Sequence, residues 1–446
     1  MAKLIIFLLS LLFPLASAVA GTVPISITTP KGISVWYLHD KTTPSISISF
    51  AFRGGTEEDA AATQGTTALM ADLLTESAGG LSATAFQQQL ADHNITLNIS
   101  ANREAVRGRI RFLLRHQSVA TRLVNSALTQ PAFTADDIDR MRQTTLASLN
   151  SAATDPAWQA QRLAMQQIFA GTPYAQAAGG TPTTLAAITR ADIISAHQRH
   201  IVRQRLVVTV VGAASADDTA RMVDAIFGSL PIGTPWQPAS LQLQNGSTVW
   251  YHPQPSAKQS HILFAAPTLP PTDPDYAAAM VLNDIYGGGG FRALLMDELR
   301  QTLGATYGAS TGIMPLNAVP TMLGRTAVAA PATADAMNII STLWDSLRDK
   351  ITADAFAASV AFLSNSIARD LTSAAAIADY YLGLRLNDLP PDYAEQLPLQ
   401  LKALDENTLH RVAERLYRPG VLSFAVVGPV LPVGTARTVT NLWSAR

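Results

Sequence analysis

Arg300 and Tyr307 stand seven residues apart in the stretch ELRQTLGATYGAS. A guanidinium and a phenol hydroxyl are both good donors to an oxygen that gains charge during a reaction. Leu294, Leu295 and Leu299 form an apolar helical face in FRALLMDELRQ, which sets Arg300 at the C-terminal end of a helix. ATYGAST then reads as an extended strand. The plainer alternative is that Arg300 caps its helix and Tyr307 is a core aromatic. No zinc-binding motif accompanies the pair anywhere in the chain. His197 and His200 form H-x-x-H, a spacing that can hold a metal on a helix, with no third ligand evident nearby. The remaining histidines, His39, His93, His116, His252, His261 and His410, are scattered. Gly308 to Gly312 satisfies G-x-S-x-G, but a nucleophile elbow needs a helix after its turn. IMPLNAVPTM follows instead, with two prolines, so Ser310 reads as a strand residue. Gly287, Gly288, Gly289 and Gly290 lie in YGGGGF, which lacks the Lys-Ser/Thr of a phosphate loop and suits a tight helix-to-helix connection equally well.

The chain that must position these residues has 446 of them, 48% hydrophobic and 15% charged, with a formal net charge of −1. That length allows two sizeable cores. No run of Lys and Arg supplies the electrostatic footprint of a nucleic-acid partner. Residues 1–20 read as a signal peptide: Lys3, then the apolar run LIIFLLSLLFPLA, then ASAVAG, with cleavage expected after Ala18 or Ala20. The mature protein is therefore expected in the periplasm or outside the cell. It has no cysteine, so no disulfide stabilises it. No later stretch is long and apolar enough for stable membrane insertion.

The sequence contains itself twice. Val35-Trp36-Tyr37 recurs as Val249-Trp250-Tyr251, Phe50 as Phe264, and Val210-Val211-Gly212 as Val426-Val427-Gly428. A nearly constant offset, about 214 residues at the start and about 216 at the end, argues for duplication of one domain. The expected organisation is an N-terminal domain over 21–230, a linker over 231–245 with three prolines in LPIGTPWQPASLQLQNGS, and a C-terminal domain over 246–446. Each half runs strand-strand, helices, then a returning apolar strand and helix. The fold class is α+β, each domain a largely antiparallel sheet covered by helices. Ser215 is the expected cap of a helix that buries Met222, Val223 and Ile226, and Thr134 that of the helix after LTQPAF.

With these segments in view, each half resembles a domain of the pitrilysin/insulinase metallopeptidase family, in the branch of the mitochondrial processing peptidase. The resemblance covers residues 25–446 and is most specific in DPDYAAAMVLNDIYGGGGFRALLMDELRQTLGATY. Active members of the family carry H-x-x-E-H on the first long helix: two His ligate zinc, the Glu activates water, and a downstream Glu completes the ligands. The matching stretch here is GTTALMADLL, which puts Ala68, Ala71 and Asp72 at the motif positions. The downstream helix over 141–154 contains no acid.

The resemblance implies a non-catalytic, substrate-binding subunit of an exported zinc metallopeptidase, inactive alone and with no metal or cofactor of its own. Zinc would sit on a homologous partner chain with intact H-x-x-E-H, in a heterodimer or larger complex. Arg300 and Tyr307 would reach that zinc site and hydrogen-bond the peptide backbone near the scissile carbonyl. Gly287 to Gly290 would correspond to a longer glycine-rich loop linked to substrate handling in the non-catalytic processing subunit. The alternatives are a structural protein like the core proteins of the cytochrome bc complex, or a stand-alone peptide-binding homodimer.

Overall fold

The computed structural model describes residues 23–238, 241, 246–304, 306, 308–317 and 319–443. The leader over 1–20 and Tyr307 thus lie outside the described residues. Among the described residues, stretches rich in β-branched and aromatic residues form twelve strands. The first half holds β1 (Ile25–Thr28), β2 (Ser34–His39), β3 (Ser45–Arg53), β4 (Thr96–Ala101), β5 (Ala105–Leu113) and β6 (Leu206–Gly212). The second holds β7 (Val249–Pro253), β8 (Gln259–Pro267), β9 (Ala309–Met314), β10 (Thr321–Ala329), β11 (Ser423–Gly428) and β12 (Arg437–Thr438). They build two six-stranded sheets, ordered β1-β2-β6-β3-β5-β4 and β12-β7-β11-β8-β10-β9. Among the described residues the parallel pairs are β2–β6, β7–β11 and β7–β12, and the others are antiparallel. The fold is α+β, with five strands of each sheet in the same order. The sixth differs: β1 comes from the start of the chain and runs antiparallel to β2, whereas β12 comes from its end and runs parallel to β7.

The repeated residues have repeated jobs. Tyr251 Oη donates to Gly428 O at 2.8 Å, and Tyr37 Oη donates to Ala214 O in the same way. Phe50 on β3 lies opposite Gly108 on β5, and Phe264 on β8 opposite Gly324 on β10. Each ring fills the space that a side chain on the facing glycine would need. A Cβ at Gly108 would stand 1.9 Å from Phe50 Cζ, and one at Gly324 2.0 Å from Phe264 Cζ. The helices that cover these inner faces start where their caps require. Ser215 Oγ accepts from Asp218 N at 3.1 Å, and Met222, Val223 and Ile226 are buried on that helix. Thr134 caps Ala135–Ala152 in the same manner.

A helix from the other half lies across the middle of each sheet's outer face. Helix Pro156–Ile168 lies on β8 and β11, packing Ala160, Leu163, Ala164 and Ile168 against Leu263, Ala265, Ala425 and Val427. Helix Ala374–Leu386 lies on β3 and β6, packing Ile377, Ala378, Tyr381 and Leu382 against Leu38, Ala51, Val207 and Val211. Polar anchors fix both crossings. Arg53 donates to the last carbonyls of Ala374–Leu386, Arg385 O at 2.6 Å and Leu386 O at 3.0 Å, where the helix dipole favours a cation. Buried Arg162 of the other crossing helix donates to Leu442 O at 3.0 Å and Ala175 O at 2.8 Å.

Residues 231–236, in the stretch expected as a linker, lie against the first half. Arg203 N donates to Pro231 O at 2.9 Å, Arg205 Nε to Thr234 O at 3.2 Å, and Trp236 Nε1 to Glu57 Oε1 at 3.1 Å. Burial, and then the neighbouring Glu104 charge, raise the Glu57 carboxyl to about 7.

Two outcomes follow from this packing. Gly108→Ala or Gly324→Ala should each destabilise the protein by about 1–3 kcal/mol in urea unfolding, and Phe50→Leu should recover part of the first loss. Because the Glu57 carboxyl is raised from its ordinary value near 4.5 to about 7, its stabilising contribution is full below the lower value and lost as pH climbs through the upper one. Glu57→Gln should therefore melt higher than the parent at pH 8 and together with it at pH 4.5.

Candidate functional site

Helix Thr66–Leu73 carries the degenerate motif. It begins at Gly65, whose φ of +93° is a glycine conformation, and no N-cap side chain serves it. Asp59 does that work from a distance, accepting from Gly65 N at 3.0 Å, Thr67 N at 3.1 Å and Thr67 Oγ1 at 2.5 Å. Thr67 Oγ1 also lies 3.1 Å from His200 Nε2. Burial outweighs these bonds and raises the Asp59 carboxyl to about 6. Burial, then Arg205 and Arg199, push His200 down to about 3, so it stays neutral. This rigid start sets Ala68, Ala71 and Asp72 on one helical face, Ala71 fully buried and the other two half-buried.

Their surroundings do not fit zinc. Two methyl groups offer no lone pair, and burial followed by repulsion from Glu76 raises the Asp72 carboxyl to about 6. Helix Ala135–Ala152 packs on this helix. Its Arg140 reaches back to Glu76 at 2.7 Å and Asp137 at 2.6 Å, so those acids are already paired. A structural or catalytic zinc needs at least three protein ligands. Among the described residues, no three His, Cys, Asp or Glu are placed to hold a metal ion. His197 and His200 do not converge either. His197 Nε2 is 2.8 Å from Leu128 O with its ring edge-on to Phe133, while His200 is buried beside Thr67.

Arg300 sits near the end of helix Leu294–Leu303, where Leu295 and Leu299 are buried and Leu294 packs alongside. Gly304, at φ +59°, terminates the helix, and its N–H donates to Arg300 O at 3.1 Å. The Arg300 side chain is exposed and forms no ion pair or hydrogen bond among the described residues. It is not the cap of its helix.

The glycine run is a packed turn. Helix Tyr276–Asn283 passes through a π-turn at Asp284–Gly288 and a 3₁₀ turn at Gly290–Arg292 into Leu294–Leu303. A Cβ at Gly287 would stand 2.7 Å from Thr311, one at Gly288 2.7 Å from Asn283 Nδ2, and one at Gly289 2.8 Å from Asp284 O. Gly290 has φ +62°. Buried Asp284 holds the turn, accepting from Ser359 Oγ at 2.6 Å and pairing with Arg292 at 3.3 Å. Beyond the last glycine, Phe291 is 82% exposed.

Gly308 and Ser310, next along the chain, line a cavity of about 590 Å³. Trp158 of helix Pro156–Ile168 forms one wall, and His261 and Arg325 of the second sheet form the other. Ser310 pairs with Arg325 inside that sheet and is a strand residue. Trp158, His261 and Arg325 carry no motif. They meet because a helix from one half lies on the sheet of the other, which local sequence does not announce.

Residues 187–363 match the family model described as Peptidase M16 inactive domain. The chain is 27% identical over 278 residues to Non-peptidase homolog YmxG of Helicobacter pylori, covering 62% of this chain and 63% of that one. It is 24% identical over 284 residues to Uncharacterized zinc protease ML0855 of Mycobacterium leprae, covering 63% of each. These matches thus span less than two thirds of the length of either relative. The crystal structure of a peptidase M16 inactive domain from Pseudomonas fluorescens superposes with a TM-score of 0.85 at 22% identity, covering 94% of this chain and 100% of that one. With alanines at two of its three motif positions, the chain is similar to inactive homologues of the peptidase M16 family, most directly over residues 187–363.

Proposed function

We propose that this chain is the non-catalytic, peptide-binding subunit of an exported zinc metallopeptidase. The zinc is carried by a homologous partner with intact H-x-x-E-H. The observation that carries the reading is Arg300: an exposed guanidinium without a partner among the described residues, at the end of a helix whose apolar face is buried. That cation is therefore free to meet a ligand. Tyr307 follows seven residues later, and together the two supply donors to a peptide carbonyl held at the partner's metal. The exposed Phe291 beside the glycine turn and the cavity between Trp158 and Arg325 offer apolar and polar contacts to the same peptide. The apolar run expected as a leader over 1–20 supports a periplasmic or extracellular setting for this work.

Purified alone, the chain is expected to cleave no peptide. The triple change Ala68→His, Ala71→Glu, Asp72→His should still fail to retain stoichiometric zinc after dialysis, because the segment over 141–154 offers no third ligand. Metal analysis of the dialysed variant checks this. Mixed with the zinc-bearing homologue, the chain should raise turnover. Tyr307→Phe and Arg300→Ala should each lower that turnover by about 10²–10³. Size exclusion should show both variants pairing normally. Full activity in both, with normal pairing, would remove the gripping role and favour a structural one.

A further inference from the structure

The outer face of the first sheet is only half covered. Helix Ala374–Leu386 lies on β3 and β6, leaving the outer face of β5 and of the edge strand β4 beyond it. Strand alternation turns Val106, Ile110 and Phe112 into the core and puts Arg107, Arg109 and Arg111 on the opposite face. The register sets Ser100, Asn98 and Thr96 of β4 directly beside them. Arg109 and Arg111 are exposed. Arg109 pairs with Asp379 at 2.7 Å, whereas Arg111 has no ion pair among the described residues.

At the Arg111 end, this face meets the N-terminus of the crossing helix. Arg111, Ser45, Ser47 and Ser373 line a cavity of about 570 Å³ there. Ser373 Oγ accepts from Ala376 N at 3.2 Å, but Ala374 N and Ala375 N have no partner within the helix. No acid stands in the helix's first turn. Ser47 is 3% exposed, and its hydroxyl bonds no described residue. Asp40 also lines the cavity, its Oδ1 accepting from Thr42 N at 2.9 Å and Thr42 Oγ1 at 2.6 Å. A cation, a helix N-terminus and an unused buried hydroxyl thus converge on one space, and each of them suits an anion.

We infer that this arginine ladder and the cavity at its end bind an acidic stretch of peptide. One carboxylate enters the cavity at Arg111 and Ser47, and further carboxylates meet Arg109 and Arg107. Same-face side chains of a strand repeat every second residue, about 7 Å apart, on the ladder and on an extended peptide alike. A peptide with acids at alternate positions therefore matches it rung for rung. The inference rests on the peptide-binding reading above and adds the chemistry of the peptide.

Fluorescence polarisation on the intact chain tests it, with three labelled peptides of one length that alternate serine with glutamate, glutamine or lysine. The glutamate peptide is expected to bind about tenfold tighter than the glutamine peptide, with the advantage shrinking as salt rises. Arg111→Gln should remove about five- to tenfold of that advantage and leave the glutamine peptide unchanged. Ser47→Ala should remove less, and circular dichroism should show both variants folded. Equal binding of the glutamate and glutamine peptides, or no effect of Arg111→Gln, overturns the inference while peptide binding stands. Binding of none of the three overturns both. Inorganic phosphate that displaces the glutamate peptide at equal concentration would mark a simple anion site and overturn the assignment to peptide.

Discussion

Everything else in the molecule depends on the reciprocal loan of one helix between its halves. The central strands of both sheets are apolar on both faces: β6 buries Val208 and Val210 on one side and Val207 and Val211 on the other. Helices within a half cover only the inner face. Left open, the outer face would expose a strip of Val, Ala and Leu on each sheet, which a folded chain must bury. Pro156–Ile168 and Ala374–Leu386 solve the same problem in opposite directions. Their anchors, Arg162 in the middle of one and Arg53 at the end of the other, are cations bound to backbone carbonyls, so each crossing has a fixed position along its sheet as well as an apolar contact. The cavities on the outer faces exist because each helix spans only the middle of a sheet and leaves the strands beyond it uncovered.

That arrangement also separates the two kinds of site residue. The former metal positions lie on the inner, helix-covered side of the first half. There Asp59, Thr67 and His200 hold the helix in place, and buried methyls fill the face that ligands would occupy. Arg140 is the cation of that region, tied to Glu76 and Asp137. Arg300 and the glycine turn belong to the second half, where a π-turn packs under Thr311 and is held by Asp284. A π-turn costs helix geometry, and such turns concentrate where function rather than stability sets the backbone.

Much of the fold was legible in the sequence for a simple reason: the duplication repeats the residues that do structural work. Val-Trp-Tyr marks the second strand of each sheet, where its tyrosine reaches a carbonyl at or just past the end of the parallel strand beside it. The phenylalanines repeat because each covers a glycine on a neighbouring strand. The caps at Thr134 and Ser215 were readable because they act within three residues of themselves. The crossing helices were not, since an amphipathic pattern gives a buried face without naming the surface that buries it. Nor was Asp59, which caps a helix from six residues upstream, or the meeting of Trp158 with His261 and Arg325. The four glycines were legible as a turn, but the π geometry depends on Thr311 and Ser359, far along the chain.

The exchange of crossing helices says something about ancestry. A single copy of this domain, before duplication, would have carried one such helix and one uncovered sheet face. Two copies could satisfy each other only by trading that segment across a twofold axis, as interlocked homodimers do. Joining two copies in one chain would turn an intermolecular exchange into an intramolecular one and remove its dependence on concentration. Once fused, the halves no longer had to be identical. One could lose its metal ligands, and the chain's two ends could finish the sheets differently, as β1 and β12 do, while the interlock kept both halves folded.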